Sequence, residues 1–125
     1  MTGWTVDELA SIEHAGELQL SSQRGDGSLR NPVTIWVVRH GDDLYVRSIH
    51  GQAGAWFRRA DATHEGHISA GGIDRDVAFV LDTDATLNDR VDAAYRSKYH
   101  RYSANIVGSV VNPASRESTI KLVPH

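Results

Sequence analysis

The chain has 125 residues, of which 40% are hydrophobic and 23% are charged, a length typical of one domain with its own hydrophobic core. It contains no cysteine, which excludes disulfides, thiolate metal sites and thiol nucleophiles. The net charge of -3 argues against general nucleic-acid binding. No signal peptide or membrane-spanning apolar run is recognisable. We therefore expect one domain over residues 1–125 in a soluble, cytoplasmic protein without nucleic-acid or membrane partners.

The N-terminal segment predicts a helix followed by a short strand. Thr5 and Glu8 have the spacing of a capping box, and apolar residues recur after them at helical intervals. Leu18–Ser22 is predicted as a strand. The turn residues 24–28 follow it, and Pro32 excludes a helix there.

The clearest β pattern is a predicted hairpin, formed by Val33–Arg39 and Leu44–Ile49 around a turn that contains Gly41. Alternation places Val33 and Val37 on one face of the first strand and Trp36 on the other, so both faces are largely apolar. Because a strand that is apolar on both faces is usually covered on both, we expect this strand to lie in the centre of a sheet.

The second half of the chain predicts more strands and one longer helix. A short turn or helix is predicted at Gly51–Ala60, strands at His67–Ser69, Ile73–Leu81, Asn105–Val111 and Ser118–Val123, and a helix from a Thr86/Asp89 capping pair to Arg101. The sum is six or seven strands with two main helices. That balance indicates an α+β fold, either a small β-barrel or a strongly bent sheet.

Positive charge is concentrated between residues 20 and 60, which hold six arginines and three acidic residues. Arg24 and Arg30 flank a loop that contains Gly27, and such loops can bring backbone amides and guanidinium groups to one phosphate. This arrangement indicates an anion-binding site. The alternative is a solvated basic face, because exposed arginines are common.

The histidines give a weaker indication of chemistry. His64, Glu65 and His67 superficially resemble a metal-binding helix, but the zinc motif H-E-x-x-H requires a spacing of four rather than three. We therefore predict no metal site, with a metal-dependent enzyme as a minor alternative. His50 lies where a strand opens into a glycine turn, a place where ligands are often bound. Trp56 follows in the same connection, where a large ring either closes a barrel end or covers a ligand.

Several of these features occur together in one known fold. Arg24, Gly27 and Arg30, then the strand TIWVV, the hairpin, the strand LYVRS, Gly51 and Trp56 resemble the front half of the FMN-binding split barrels. This fold includes the pyridoxamine 5'-phosphate oxidase-like proteins, and the likeness is greater to the deazaflavin-dependent nitroreductase branch. With AYRSKY at 94–99 and the ending STIKLVP, the whole chain resembles a family of uncharacterised bacterial proteins grouped with the split barrels.

The resemblance implies a homodimer of small split barrels that binds FMN or 8-hydroxy-5-deazaflavin and a small-molecule substrate. By the resemblance, Arg24 and Arg30 contact the cofactor phosphate and Gly27 forms the turn between them. Ser48, Ile49, His50 and Gly51 match the strand-end turn that faces the ring, with Trp56 packed nearby. No catalytic residue is assigned, although Tyr45, His50 and Tyr99 have the chemistry of proton donors.

The chain departs from the family pattern at two places. After Trp56 the family usually has Asn-Leu and Asn-Pro, whereas this chain has Phe57 to Ala62 without either. Asp26 also places a carboxylate between the two loop arginines. Two functions stay open: an oxidoreductase that uses a flavin or deazaflavin on a small organic molecule, and a cofactor-free module that binds another anionic small molecule.

Overall fold

The computed structural model describes residues 3–125 as one curved antiparallel sheet with helices on both sides. The strands are β1 (Leu18–Ser22), β2 (Val33–Ile35), β3 (Val38–His40), β4 (Asp43–Val46), β5 (Glu65–Ala70), β6 (Ile73–Leu81) and β7 (Ile120–Pro124). The helices are α1 (Val6–Glu13), α2 (Ala55–Thr63), α3 (Ala85–Lys98), α4 (Ala104–Val111) and α5 (Pro113–Arg116), with a 3-10 turn at Gly51–Ala53. No helix in residues 3–125 combines the length and apolar composition that a membrane crossing needs.

The sheet curls into a half-barrel because one short segment supplies both of its edges. The strand order is β2-β1-β5-β6-β7-β4-β3, and only Trp36 and Val37 lie between β2 and β3 in the chain. Three Cα–Cα steps join Ile35 to Val38 and reach at most about 11 Å, whereas the outer strands of a flat seven-stranded sheet with a spacing of about 4.8 Å would lie about 29 Å apart. The sheet must therefore bend until its two edges meet.

The prediction of one central strand at Val33–Arg39 is wrong, because this segment forms the two edge strands β2 and β3. The hairpin itself is confirmed in shorter form, as β3 paired with β4. Both faces of the segment are apolar because the protein has a hydrophobic cluster on each side of it. Val37 belongs to the cluster inside the half-barrel, and Val38 belongs to the cluster under the outer helices.

The inner cluster fills the half-barrel and the outer cluster attaches α3 and α4 to the outside of β3 and β4. The inner cluster includes Leu9 and Ile12 of α1 together with Phe57 of α2. The outer cluster is rich in tyrosine and valine and contains Val38, Tyr45, Val91, Tyr95, Tyr99, Val107 and Val110. The strand β4 is therefore buried between two apolar layers.

Several predicted elements are confirmed, among them the capping box of α1 and the bounds of β1 and β6. The strand predicted at Asn105–Val111 is wrong, since these residues form most of α4, whose first turn is capped by the Ser103 hydroxyl. Residues 3–125 form five α-helices, whereas the sequence predicts two main ones. The N-cap of α3 is Asp84, which accepts a hydrogen bond of 2.8 Å from the Leu87 amide, rather than the predicted Thr86 pair.

Candidate functional site

An apolar groove of about 530 Å³ opens between the edge strand β2 and helix α4, a volume within the usual range for small-molecule sites. Its lining residues are Val33, Thr34, Ile35, Trp36, Arg47, Ser48, Ile49, His50, Gly54, Ala55, Trp56, Arg59, Ile106, Ser109 and Val110. None of these described lining residues is acidic. Ile49 and Ile106 remain 56% and 48% exposed at the rim, so the groove offers an apolar surface that water can reach.

The turn after β4 forms one side of the groove, and buried serine hydroxyls fix its shape. Ser48 is buried, and its carbonyl accepts a hydrogen bond of 3.0 Å from the Ser115 hydroxyl. The Ser48 hydroxyl accepts from the His50 amide at 3.2 Å, while the Ser48 amide donates to the Ser118 hydroxyl at 2.9 Å. These bonds hold Ile49 and His50 at the surface in a defined backbone conformation.

Three arginines lie at the end of the groove next to helix α2. Arg30 and Arg59 line one small depression with Trp56, and Arg30, Arg58 and Arg59 line another. None of the three forms an ion pair with any other residue of 3–125. The Nε atom of Arg30 is buried without a hydrogen-bond partner. Because buried donors normally have partners, this basic corner has unused capacity to bind an anion.

A fourth arginine of the groove, Arg47, is fully buried and already paired. Its guanidinium forms an ion pair with Asp92 and donates to the carbonyls of Val110 at 2.8 Å and Asn88 at 3.1 Å. It also donates to the Thr119 hydroxyl at 2.8 Å. These partners belong to α3, α4 and the segment before β7. Arg47 therefore joins the groove wall to the outer helices and is not free to bind a ligand.

The structure brings together five of the eight predicted site residues. Ser48, Ile49, His50 and Trp56 line the groove, and Arg30 lies in the basic corner beside them. The other three do not line the groove or the corner: Arg24, Gly27 and Gly51. The role predicted for these three in binding a cofactor stays a prediction.

The loop around Arg24 is held by its own hydrogen bonds. The Arg24 guanidinium donates to the Leu29 carbonyl at 2.8 Å and to the Ser28 hydroxyl at 3.3 Å. Asp26 accepts from the Ser28 amide at 3.0 Å and from its hydroxyl at 2.7 Å, and these bonds lower the pKa of the Asp26 carboxyl. The Asp26 carboxylate, which lies between the two arginines in the sequence, therefore stabilises the conformation of the loop.

Of the three candidate proton donors, His50 alone lines the groove. Tyr45 and Tyr99 are buried in the outer cluster, and burial raises the pKa of each phenol to about 12. Within residues 3–125, His64 and His67 belong to no cluster of three or more metal-binding side chains. The imidazole of His67 is instead bonded to Asp76 at 2.9 Å and Asp74 at 3.2 Å.

The predicted site lacks the groove residues on the β2 segment and on α4, and it lacks two arginines of the basic corner. Helix α4 supplies Ile106, Ser109 and Val110, and the signal for it was the spacing of Ile106 and Val107 with Val110 and Val111, which fits a helix as well as a strand. Arg58 and Arg59 belong to the region of high positive charge. Their position beside Arg30 depends on the packing of α2 against the barrel, for which residue spacing gives no signal.

Comparison with protein families gives one match over most of the chain. Residues 8–122 match the model of DUF2255, described as an uncharacterised protein family conserved in bacteria. The chain belongs to the DUF2255 family. No curated protein matches the sequence significantly.

Solved structures similar to this DUF2255 chain share its fold at low sequence identity. A proposed pyridoxamine 5'-phosphate oxidase from Listeria innocua has a TM-score of 0.66 at 17% identity, covering 94% of this chain and 90% of that one. An F420 reductase has a TM-score of 0.56 at 15% identity, with coverage of 93% and 90%. An FAD-binding protein from Mesorhizobium loti has a TM-score of 0.58 at 12% identity, with coverage of 98% and 91%. These likenesses confirm the split-barrel fold.

Proposed function

We propose that the groove and its basic corner bind a flavin or deazaflavin cofactor, FMN or 8-hydroxy-5-deazaflavin, and that the protein is an oxidoreductase acting on a small organic molecule. The observation that carries the proposal is the continuity of the two surfaces. Trp56 and Arg59 line both the apolar groove and the adjoining basic depression. A flavin has a planar ring system that is joined to a phosphate. The ring would lie in the apolar groove and the phosphate in the adjoining basic depression.

The residues present fit such a cofactor. The apolar side chains of Ile35, Trp36 and Trp56 suit a flat aromatic ring, and the partnerless Arg30 Nε suits a phosphate, which guanidinium groups bind with charge-assisted hydrogen bonds. The start of α2 adds to this, because its N-cap, Gly54, provides no side-chain cap and free amides at a helix start favour anions. A bound flavin or deazaflavin supplies hydride transfer, and the protein supplies binding and orientation.

The solved structures support the proposal at the level of the fold. Among the structures with this fold are one described as an F420 reductase and one described as an FAD-binding protein. At identities of 12–15% the ligand does not follow from the fold. The groove and the basic corner of this chain are therefore the observations on which the proposal depends.

The alternative function is a cofactor-free split-barrel module that binds another anionic small molecule. Arg58 and Arg59 fit this alternative as well as the first function, since guanidinium groups beside Arg30 can bind any phosphate or carboxylate. Both functions place an anion at the basic corner, and they differ in what fills the groove.

We also propose that the protein is a homodimer in which the second copy covers the groove. Ile49 and Ile106 at the rim are about half exposed, and a partner surface would remove this apolar area from water. Sedimentation of the wild type and of Ile106→Asp tests the proposal. We expect a dimer for the wild type and a shift toward monomer for the variant, and a wild type that stays monomeric at high concentration contradicts it.

Titration of the purified protein with FMN and with the deazaflavin coenzyme, followed by cofactor fluorescence and melting temperature, tests the cofactor. We expect saturable binding of one of them and a raised melting temperature, since a ligand at 100 times its Kd stabilises the folded state by about 2.7 kcal/mol. Binding of neither cofactor overturns the first function. Saturable binding of inorganic pyrophosphate would then support the anion-binding module.

Arginine variants test the place of the anion. Arg59→Gln and Arg30→Gln should each weaken binding by about 10- to 100-fold, the usual worth of a hydrogen bond to a charged group. Arg90→Gln removes an exposed charge on α3 and serves as the matched control, with binding unchanged. Arg24→Gln tests the contact that the sequence predicts at this residue. Equal effects of all four variants would show a general charge effect and not a defined corner.

A further inference from the structure

A second cavity of about 390 Å³ lies where the ends of α1 and α3 come together. We name it the helix-end pocket, and its lining residues are Glu13, His14, Gly16, Lys98, Tyr99, Arg101 and Tyr102. It shares no lining residue with the groove. Its volume is at the lower end of the usual range for small-molecule sites, so it fits a compact ligand.

Lys98 is a half-buried cation whose burial is only partly compensated. Its ammonium donates one hydrogen bond, of 2.7 Å, to the Val37 carbonyl and lies 5.3 Å from the centroid of the Tyr99 ring. Burial lowers the pKa of Lys98 to about 8, against the opposing attraction of the Glu13 carboxylate. Because an ammonium can donate three hydrogen bonds, an acceptor in the pocket would satisfy a donor that the protein leaves free.

The charges around Lys98 leave the pocket with an excess of positive charge. On α1, the Glu13 carboxylate is already paired with Arg39 at 3.4 Å, and the ring of His14 donates back to the Ala10 carbonyl at 2.7 Å. Arg101 is exposed and forms no ion pair with any residue in 3–125. The Glu17 carboxylate lies near the Tyr99 phenol and adds to the rise of its pKa, which burial mainly causes. The cations of Lys98 and Arg101 are thus available to one anion.

Aromatic side chains form the wall beside these cations. Tyr99 is 3% exposed and Tyr102 is 51% exposed, and their ring centroids lie 6.1 Å apart. Trp36 packs behind both, with centroid distances of 3.8 Å to Tyr99 and 5.0 Å to Tyr102. The exposed face of Tyr102 is therefore held in place by its neighbours and offers a flat apolar surface next to two positive charges.

We propose that the helix-end pocket binds a planar organic carboxylate, with the carboxylate on Lys98 and Arg101 and the ring against Tyr102. The pocket is a site separate from the groove, and the proposal does not depend on the function assigned to the groove. A bound carboxylate favours the ammonium form of Lys98. The ligand therefore raises the proton affinity of Lys98 by the same factor by which protonation of Lys98 raises the affinity for the ligand.

The chain offers a direct test, because Lys98 and Lys121 are its only lysines. In protein labelled with [13C]lysine, the side-chain carbon signals of both lysines can be followed against pH, with and without benzoate as the probe. We expect benzoate to raise the pKa of Lys98 and to leave Lys121 unchanged. A rise of one pH unit corresponds to tenfold tighter binding to the charged form. The absence of any saturable Lys98 shift at roughly 10 mM benzoate, ten times a 1 mM Kd, overturns the proposal.

Variants separate this pocket from other places where benzoate could bind. Lys98→Met should weaken benzoate binding at least about tenfold, the loss expected for one charge-assisted hydrogen bond, whereas Lys121→Met should not change it. Unchanged binding to Lys98→Met overturns the proposal, since benzoate would then occupy another site such as the groove. Cyclohexanecarboxylate has the same charge without a planar ring, and we expect weaker binding. Equal binding of the two acids contradicts the aromatic part of the proposal.

Discussion

The rings of Trp36 and Tyr99 stack face to face, with centroids 3.8 Å apart and planes 4° from parallel. Trp36 lines the groove and Tyr99 lines the helix-end pocket, so one aromatic stack separates the two cavities. Trp36 also lies in the two-residue link between β2 and β3. The point at which the sheet closes on itself is therefore the point at which both cavities are formed.

The Tyr99 hydroxyl forms hydrogen bonds to two of the segments that meet at this closure, and its removal should destabilise the fold. The hydroxyl accepts from the Val37 amide at 3.2 Å and donates to the Gly16 carbonyl at 3.0 Å. In Tyr99→Phe the buried Val37 amide loses its partner, which should cost about 1–3 kcal/mol of unfolding free energy. Urea denaturation measures this loss. Tyr102→Phe, at a half-exposed ring, is the control and should change stability by less than about 0.5 kcal/mol.

Replacement of Arg47 should have the largest effect of any single change at the groove. In Arg47→Met the Asp92 carboxylate keeps only the partly exposed Arg116, and the Val110 and Asn88 carbonyls lose a buried donor, so the loss should approach the roughly 3–5 kcal/mol of a broken buried ion pair. Arg116 also pairs with Asp92 but is 27% exposed, so Arg116→Met should cost about 1 kcal/mol or less. Denaturant midpoints compare the two. Equal losses would show that Arg47 is no more important than a surface ion pair.

The local parts of the site could be predicted from the sequence because they lie close together in the chain. Ser48, Ile49 and His50 lie just after β4, and Trp56 is the second residue of α2. The alternation in Val33–Val38 also predicts two apolar faces, and the structure confirms both. The prediction of one central strand is wrong, because two buried faces do not distinguish a central strand from edge strands that are covered on both sides.

The rest of the site depends on tertiary packing. The β-branched valines of Asn105–Val111 predict a strand by propensity, but the Ser103 cap and the apolar surface of α3 favour a helix. In the same way, Arg58 and Arg59 become part of a binding corner only because α2 packs beside β1 and brings them to Arg30. Contacts between residues of different helices and strands cannot be recognised from residue spacing in the sequence.

Gly51 and Gly41 form a matched pair that isolates a steric contact in the turn of the site. Both have a φ of +61°, and an alanine at either position should cost about 1–2 kcal/mol for the left-handed backbone. A Cβ at Gly41 meets nothing within 4 Å, whereas a Cβ at Gly51 lies 2.7 Å from the Ala114 carbonyl oxygen. Thermal unfolding should show a larger loss for Gly51→Ala than for Gly41→Ala. Equal losses would mean that α5 shifts away without cost.

His67 should give the stability of the protein a pH dependence that a glutamine variant lacks. The hydrogen bond to Asp76, helped by Asp74, raises the pKa of His67 above its ordinary value of 6.5. A raised pKa means that the folded state holds the proton more tightly than the unfolded state, so the stabilisation is complete below pH 6.5 and is lost as pH rises through the raised pKa. The wild type should therefore exceed His67→Gln in melting temperature by more at about pH 5.5 than at about pH 8.5. His125, which is bonded to Glu65 nearby, is present in both proteins, so its own contribution cancels in the difference. A difference that does not change with pH would show that the imidazolium at this place stabilises nothing.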